Sequence, residues 1–189
     1  MQILIIDEQY NEKKDSCRMR RAVRAVVYQH DVILMIYSNK NGDYKFPGGG
    51  IEKGENEEEA LRREVKEETG YDISVIGEKY ICAYEYRKYD DDEFVMESNY
   101  YVCSIKDGQV QQYLDDYEKE LGFVPMFVSA EEAYRANISL LGTGNEPAWT
   151  KREVLVLEKL IEANPQMTQI AQIVGKCIKH TCLPETLIN

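Results

Sequence analysis

The chain is short of the residues on which several chemistries depend. It has two histidines, His30 and His180, and neither stands in a zinc-like neighbourhood. Histidine-based triads have little to work with, and both residues read as structural or surface groups. The five cysteines, Cys17, Cys82, Cys103, Cys177 and Cys182, are an odd number and form no CxxC pair. They read as packed, reduced thiols rather than a disulfide framework. Positive charge is scarce: 23 Lys and Arg against 34 Asp and Glu leave a net charge of −11. That argues against duplex DNA or an anionic membrane as the main partner. It leaves a nucleotide substrate open, because bound divalent cations reverse the local field around carboxylates. No apolar run approaches transmembrane length. The segment Met1-Gln2-Ile3-Leu4-Ile5-Ile6-Asp7 has no basic flank and too short an apolar run for a signal peptide. The expectation is a cytoplasmic protein.

What is present is one domain's worth of apolar residues. At 189 residues and 43% apolar, the chain suits a single core, with room for an extra helical segment. Fourteen tyrosines against four phenylalanines point to many half-buried, hydrogen-bonding aromatics.

Read in order, residues 1–6 form a short strand and 8–21 a charged linker or strand approach. Residues 22–28 and 32–37 are strands, 38–43 is a polar turn with Asn41-Gly42, and 44–46 is a short strand before Pro47. Residues 73–87 and 94–105 pair as long strands, and the polar, acidic stretch 109–122 reads as a loop. Residues 123–128 form the last strand. Ser129 and Glu132 form a capping pattern for a following helix. Residues 150–163 are an amphipathic helix with Val154, Leu155, Leu157, Leu160 and Ile161 on its apolar side, and 167–180 offer one more helix. The 154–161 face predicts either packing on the domain or a homodimer interface. Strands on both sides of one helix predict α/β layering around a mixed sheet.

The most informative stretch is residues 47–71. Pro47-Gly48-Gly49-Gly50 cannot be helix interior. Asn56 is a good N-cap, Glu59 completes a capping box, Glu57, Glu58 and Glu59 sit where the dipole favours negative charge, and Gly70 suits the C′ position. A helix over 57–69 follows, with Ala60, Leu61 and Val65 as its apolar face. Glu64 and Glu68 are i,i+4 neighbours and Glu67 lies i+3 from Glu64, so like charges repel along one side. A divalent cation would relieve that, and hard oxygen ligands suit Mg²⁺ or Mn²⁺. A merely solvated acidic helix explains the charge, but not the placing of Arg63, Gly49 and Gly70.

Gly49, five residues, Glu55, seven residues, then Arg63-Glu64-Val65-Lys66-Glu67-Glu68-Thr69-Gly70-Tyr71 resembles the Nudix box, G-x5-E-x7-R-E-U-x-E-E-x-G-U, where U is bulky and apolar. Tyr71 at the last U is the one departure, and it should still pack. The resemblance implies an α/β fold, a Nudix-like α/β/α sandwich around a mixed β-sheet with extra C-terminal helices. It implies a domain over residues 1–145 and a helical extension over 146–189. It also implies Mg²⁺-dependent hydrolysis of a phosphoanhydride bond by a metal-activated water, in a nucleoside diphosphate linked to another moiety. Nucleoside triphosphates, dinucleoside polyphosphates and nucleotide sugars all belong to that class.

By the same resemblance, Glu64, Glu67, Glu68 and the carbonyl of Gly49 or Gly50 are metal ligands, and Glu64 or Glu67 can act as base. A glutamate outside the box often serves instead; Glu118 and Glu120 are the candidates, with Glu120 taken as catalytic. Arg63 is expected to orient a catalytic carboxylate, with Glu55 as its partner or as a remote metal contact. Tyr84, Tyr86 and Arg87 are candidate substrate-binding residues, the tyrosines as stacking platforms. The alternative is a nucleotide-sensing regulatory protein on the same fold. Its motive is Thr168-Gln169-Ile170-Ala171-Gln172-Ile173-Val174-Gly175, which has a faint helix-turn-helix character without a basic face.

Overall fold

Alternation along β2 (Arg18–Gln29) decides the layering. Val23, Ala25 and Val27 point to one face, and Val26 points to the other. The first set packs with Ala60, Leu61 and Val65 of helix α1 (Glu57–Thr69). Val26 packs with Val156, Leu157 and Leu160 of a later helix. One sheet is thus covered on both sides, and two cores form.

The computed structural model describes residues 1–6, 18–89 and 92–163. Its remaining elements are β1 (Gln2–Ile5), β3 (Val32–Ser38), β4 (Tyr44–Lys45), β5 (Asp72–Tyr89), β6 (Asp92–Asp107), α2 (Asp116–Leu121), β7 (Phe123–Val128), α3 (Ala130–Ile138) and α4 (Thr150–Glu162). The strand order is β1-β5-β6-β2-β3-β4, with β7 on β3. β1 runs parallel to β5, and β2 parallel to β6; the other pairs are antiparallel. The fold is the mixed α/β sandwich that the sequence predicts. Among the described residues, no helix is long and apolar enough to cross a membrane.

Two features place the site. The first is the edge of β2 that faces away from β6. There residues 47–51 run alongside the strand: Val23 N–H donates to the Gly49 carbonyl (2.9 Å) and Ala25 N–H to the Pro47 carbonyl (2.8 Å). Gly48 takes φ 132°, and a Cβ there would collide with the Val23 carbonyl, so this close approach requires glycine.

The second is the end of α1. Gly70 closes the helix at φ 76°. The last carbonyls of a helix need outside donors. Tyr113 N–H reaches the Glu67 carbonyl (2.7 Å), and the Gln112 and Gln109 side-chain amides reach the carbonyls of Glu68 and Thr69.

The stretch 109–122, expected as a loop, therefore carries a helix. Asp115 and Glu118 make a reciprocal capping box at the start of α2, and Gly122 ends it at φ 64°. Those cap residues are the signal in the sequence that reveals a short helix among acidic residues.

α4 is part of the core. Of the apolar side expected to pack or to dimerise, Val154, Leu157 and Leu160 are buried inside this chain, joined by Val156, while Leu155 and Ile161 are half-buried. The expected helix over 167–180 lies outside the described residues.

Candidate active site

Arg63 gathers the box carboxylates. Its guanidinium grips Glu55 with two parallel bonds, Nε to Oε1 at 2.6 Å and Nη2 to Oε2 at 2.9 Å. Nη1 donates to Glu64 (2.9 Å) and to Glu67 (3.1 Å), and Nη2 also donates to the Gly50 carbonyl (3.1 Å). One side chain thus ties the loop to two carboxylates one turn apart on α1. Glu64 also lies against Gly49: a Cβ on Gly49 would collide with its carboxylate.

Glu68 is buried between other partners. It accepts from Gly48 N–H (2.7 Å) and from Lys45 Nζ (2.5 Å), and Lys45 also stands over the Phe123 ring. Because residues 109–113 cap α1, α2 follows close by and brings Glu118 against Glu68.

The start of α1 is pinned separately. Glu57 accepts from Arg21, from the Tyr101 hydroxyl and from Asn99 Nδ2 (3.0 Å for the last). That fixes the helix's position relative to β2 and β6.

The charges are strained in an informative way. Burial, then the neighbouring Glu68, raises the Glu64 carboxyl; Arg63 and Arg24 act against that rise. Burial and the abutting Glu68 push the Glu118 carboxyl up to about 7. The grip of Arg63 holds Glu55 down at about 2. The Arg63 guanidinium itself is held more firmly protonated by Glu55 and Glu64.

The family model for the NUDIX domain matches residues 18–145. This chain belongs to the NUDIX domain family. An RNA pyrophosphohydrolase of a Nitratiruptor species is 42% identical over 109 residues, covering 54% of this chain and 63% of the relative. The RNA pyrophosphohydrolase of Campylobacter jejuni (strain RM1221) is 33% identical over 105 residues, with the same shares of 54% and 63%. The chain thus matches a little under two thirds of the length of these curated relatives. Among solved structures, a NUDIX hydrolase from Nitrosomonas europaea superposes with a TM-score of 0.53 at 19% identity, covering 78% of this chain and 90% of that one. The E. coli ORF135 protein gives 0.52 at 22% identity, covering 79% and 93%. Both share the fold.

Within this NUDIX domain, Glu55, Arg63, Glu64, Glu67, Glu68 and Gly49 stand together as one neighbourhood. Glu120 does not join them: it is exposed at the far side of α2 and pairs with Lys40 (2.5 Å). Glu118, two residues earlier, is the member of that pair that reaches the cluster. Tyr84 and Tyr86 are half-buried on β5, opposite Glu97 and Val95 of β6. Strands β6 and β2 lie between β5 and the glycine loop, which sets them apart from the carboxylates. Arg87 lies opposite Phe94 by register, and its side chain is outside the described residues. Lys45 and Arg24 went unmarked in the sequence; Lys45 stands two residues before Pro47, at the mouth of the glycine loop.

The donor set suits a hard divalent cation. It is all oxygen, it carries more negative charge than Arg63 and Lys45 supply, and the side-chain-free Gly49 leaves room for Glu64. Among the described residues, no three carboxylates are placed to hold one metal ion, because Glu64 and Glu67 lean on Arg63 while Glu68 leans on Lys45.

Proposed function

We propose that this protein is a pyrophosphohydrolase that uses Mg²⁺ or Mn²⁺ to hydrolyse a phosphoanhydride bond in a nucleoside diphosphate linked to a further group. The carboxylate cluster gathered on Arg63 carries this reading. Glu64, Glu67 and Glu68, with the Gly49 carbonyl, would hold the cation. When bound, the cation neutralises charge on the phosphate oxygens and lowers the pKa of the attacking water.

The chain's own groups do the rest. Arg63 fixes the carboxylates of Glu64 and Glu67 by hydrogen bonds from a single nitrogen. Glu67 is the most exposed of these three carboxylates, with its side chain 42% exposed against 16% for Glu64 and 1% for Glu68. It takes the proton of the water as the new P–O bond forms and the bridging P–O bond breaks. Glu118 supports Glu68 from behind. We take Glu118, rather than Glu120, as the carboxylate outside the box that serves the reaction.

An RNA end bearing a phosphoanhydride is our first choice within the substrate class, because the named relatives are RNA pyrophosphohydrolases. Nucleoside triphosphates, dinucleoside polyphosphates and nucleotide sugars complete the panel. The sensor alternative has its motive in residues 168–175, which lie outside the described residues.

The test is release of phosphate, pyrophosphate or monophosphate from that panel with Mg²⁺, Mn²⁺ or chelator. Metal-dependent turnover of one class is expected, with Glu67→Gln slower by about 10²- to 10⁴-fold. A folded protein inert on the whole panel would refute the reading.

A further inference from the structure

Glu68 is the most buried of the box carboxylates, and each of its oxygens already has a donor. Oε2 accepts from Gly48 N–H (2.7 Å) and Oε1 from Lys45 Nζ (2.5 Å). The backbone donor is fixed, whereas an ammonium on a flexible stem can leave. A cation that takes Glu68 as a ligand therefore meets a positive charge already seated on Oε1. With Lys45 13% exposed and Glu68 1%, water screens that pair weakly.

The backbone that carries Lys45 is anchored on both sides, so the movable part is the side chain. Asn137 accepts from Tyr44 N–H and donates to the Tyr44 carbonyl, both at 2.8 Å. Phe46 is fully buried and stands edge-on to Tyr100 at 5.5 Å. Lys45 itself pairs with Ile36 of β3. Its Nζ also lies 4.7 Å over the Phe123 ring, an attraction that does not fix a direction. Glu118 stands against Glu68 and within reach of the same ammonium. Two abutting carboxylates thus share one positive charge.

Lys45 also sets Glu68 apart from the rest of the cluster. Arg63 holds Glu64 (2.9 Å) and Glu67 (3.1 Å) while gripping Glu55 through two parallel bonds. Glu68 leans instead on Lys45, through a single bond. The forked grip is geometrically specific, and the single ammonium bond is the easier of the two to exchange.

We infer that Lys45 is a positioning residue that holds and neutralises Glu68 until a divalent cation binds, then yields Oε1 to it, so that the Lys45 charge sets the cation affinity of the site. This rests on the cation site of the hydrolase reading and deepens it, by naming the side chain that competes with the cation.

The test is Mn²⁺ binding to the full chain, read from the paramagnetic resonance of the free ion, with no nucleotide and no turnover. Wild type is compared with Lys45→Met, Lys45→Gln, Lys45→Arg and Lys40→Met. Losing a unit charge beside a divalent cation in a poorly screened site should tighten Mn²⁺ binding about 10-fold in Lys45→Met and Lys45→Gln. Glutamine keeps a donor for Glu68, so the comparison does not depend on how well the methionine variant folds. Lys45→Arg keeps the charge and should bind more weakly than either. Lys40→Met should match wild type, because Lys40 pairs with Glu120 at the surface and its charge is screened. Without metal, Lys45→Met should melt below wild type, since Glu68 stays buried without its charge partner. Mn²⁺ should then raise its melting temperature by more than it raises that of wild type.

Lys45→Met and Lys45→Gln that bind Mn²⁺ no more tightly than wild type overturn the inference; weaker binding would mean that Lys45 only shapes Glu68 as a ligand. Equal tightening in Lys40→Met also overturns it, as an effect of net charge. So does Lys45→Met that melts with wild type in the absence of metal, because Lys45 then holds nothing. Wild type that binds no Mn²⁺ overturns the inference together with the cation site. Unchanged Mn²⁺ affinity in the Lys45 variants, with metal-dependent hydrolysis by wild type, removes the inference and leaves the hydrolase reading standing. Tightened binding in a protein that hydrolyses nothing on the panel keeps the inference and removes the hydrolase reading.

Discussion

Arg63 is the residue on which the cluster turns, since four of its hydrogen bonds link the loop carboxylate Glu55 to Glu64 and Glu67 on α1. The ion pair predicts a pH dependence. Glu55 ordinarily titrates at 4.5 and is held at about 2 in the folded chain, first by the Arg63 hydrogen bond. A carboxyl lowered on folding stabilises the fold above its unfolded pKa, and that share disappears as pH falls from 4.5 through 2. Glu55→Gln should therefore melt below wild type near neutrality, and the gap should close across that window. Melting curves that stay parallel down to pH 2 would count against the pair. A second comparison separates two glutamates two positions apart. Glu118→Gln should lower turnover about 10- to 100-fold, the usual effect of losing a group that supports a metal-site carboxylate. Glu120→Gln should leave it unchanged, because Glu120 contacts Lys40 on the surface. The reverse result would move the site. The box residues were legible in the sequence because helical spacing alone puts Glu64, Glu67 and Glu68 on one side, and a fork-shaped cation four residues from Glu67 is in reach. The choice between Glu118 and Glu120 was not, because it depends on how residues 109–113 cap a helix distant in sequence.

Among elements, α1 is one whose bounds the sequence determines. Asn56, Glu59 and Gly70 act as cap, box and stop through local hydrogen bonds that need no tertiary partner. Asn56→Ala should cost about 1 kcal/mol, read as a lower denaturant midpoint with an unchanged slope. A midpoint equal to wild type would mean that Glu57, anchored to Arg21, Asn99 and Tyr101, holds the helix start without the cap. α2 shows the limit of such reading. Its Asp115 and Glu118 form the same kind of box, but six residues with one buried leucine leave no apolar period to see. The stretch reads as an acidic loop until its caps are noticed. Strands β5 and β6 were legible as a long pair, while the parallel pairing of β2 with β6 was not, since residues far apart in sequence set it.

At the scale of the whole molecule, the sheet has a helix layer on each face and the carboxylate cluster lies at the edge where β2 meets the glycine loop. α4 follows the family match, which ends at residue 145, yet Leu157 is fully buried in the same core as Phe46 and Tyr100. Leu157→Ala should cost about 2–5 kcal/mol and lower the single unfolding transition as a unit. A separate, earlier transition would mean that α4 unfolds apart from the domain. The amphipathic pattern of α4 announced a buried face, but whether it packed inward or against a second copy depended on the open sheet face waiting for it. The most direct measurement of the central claim is hydrolysis of the phosphoanhydride panel, the RNA end included, by wild type and Glu67→Gln with Mg²⁺ or chelator. Cleavage of one class that needs both the metal and Glu67 is the predicted result. Cleavage unaffected by chelator and by Glu67→Gln, or none at all from the folded protein, would contradict it.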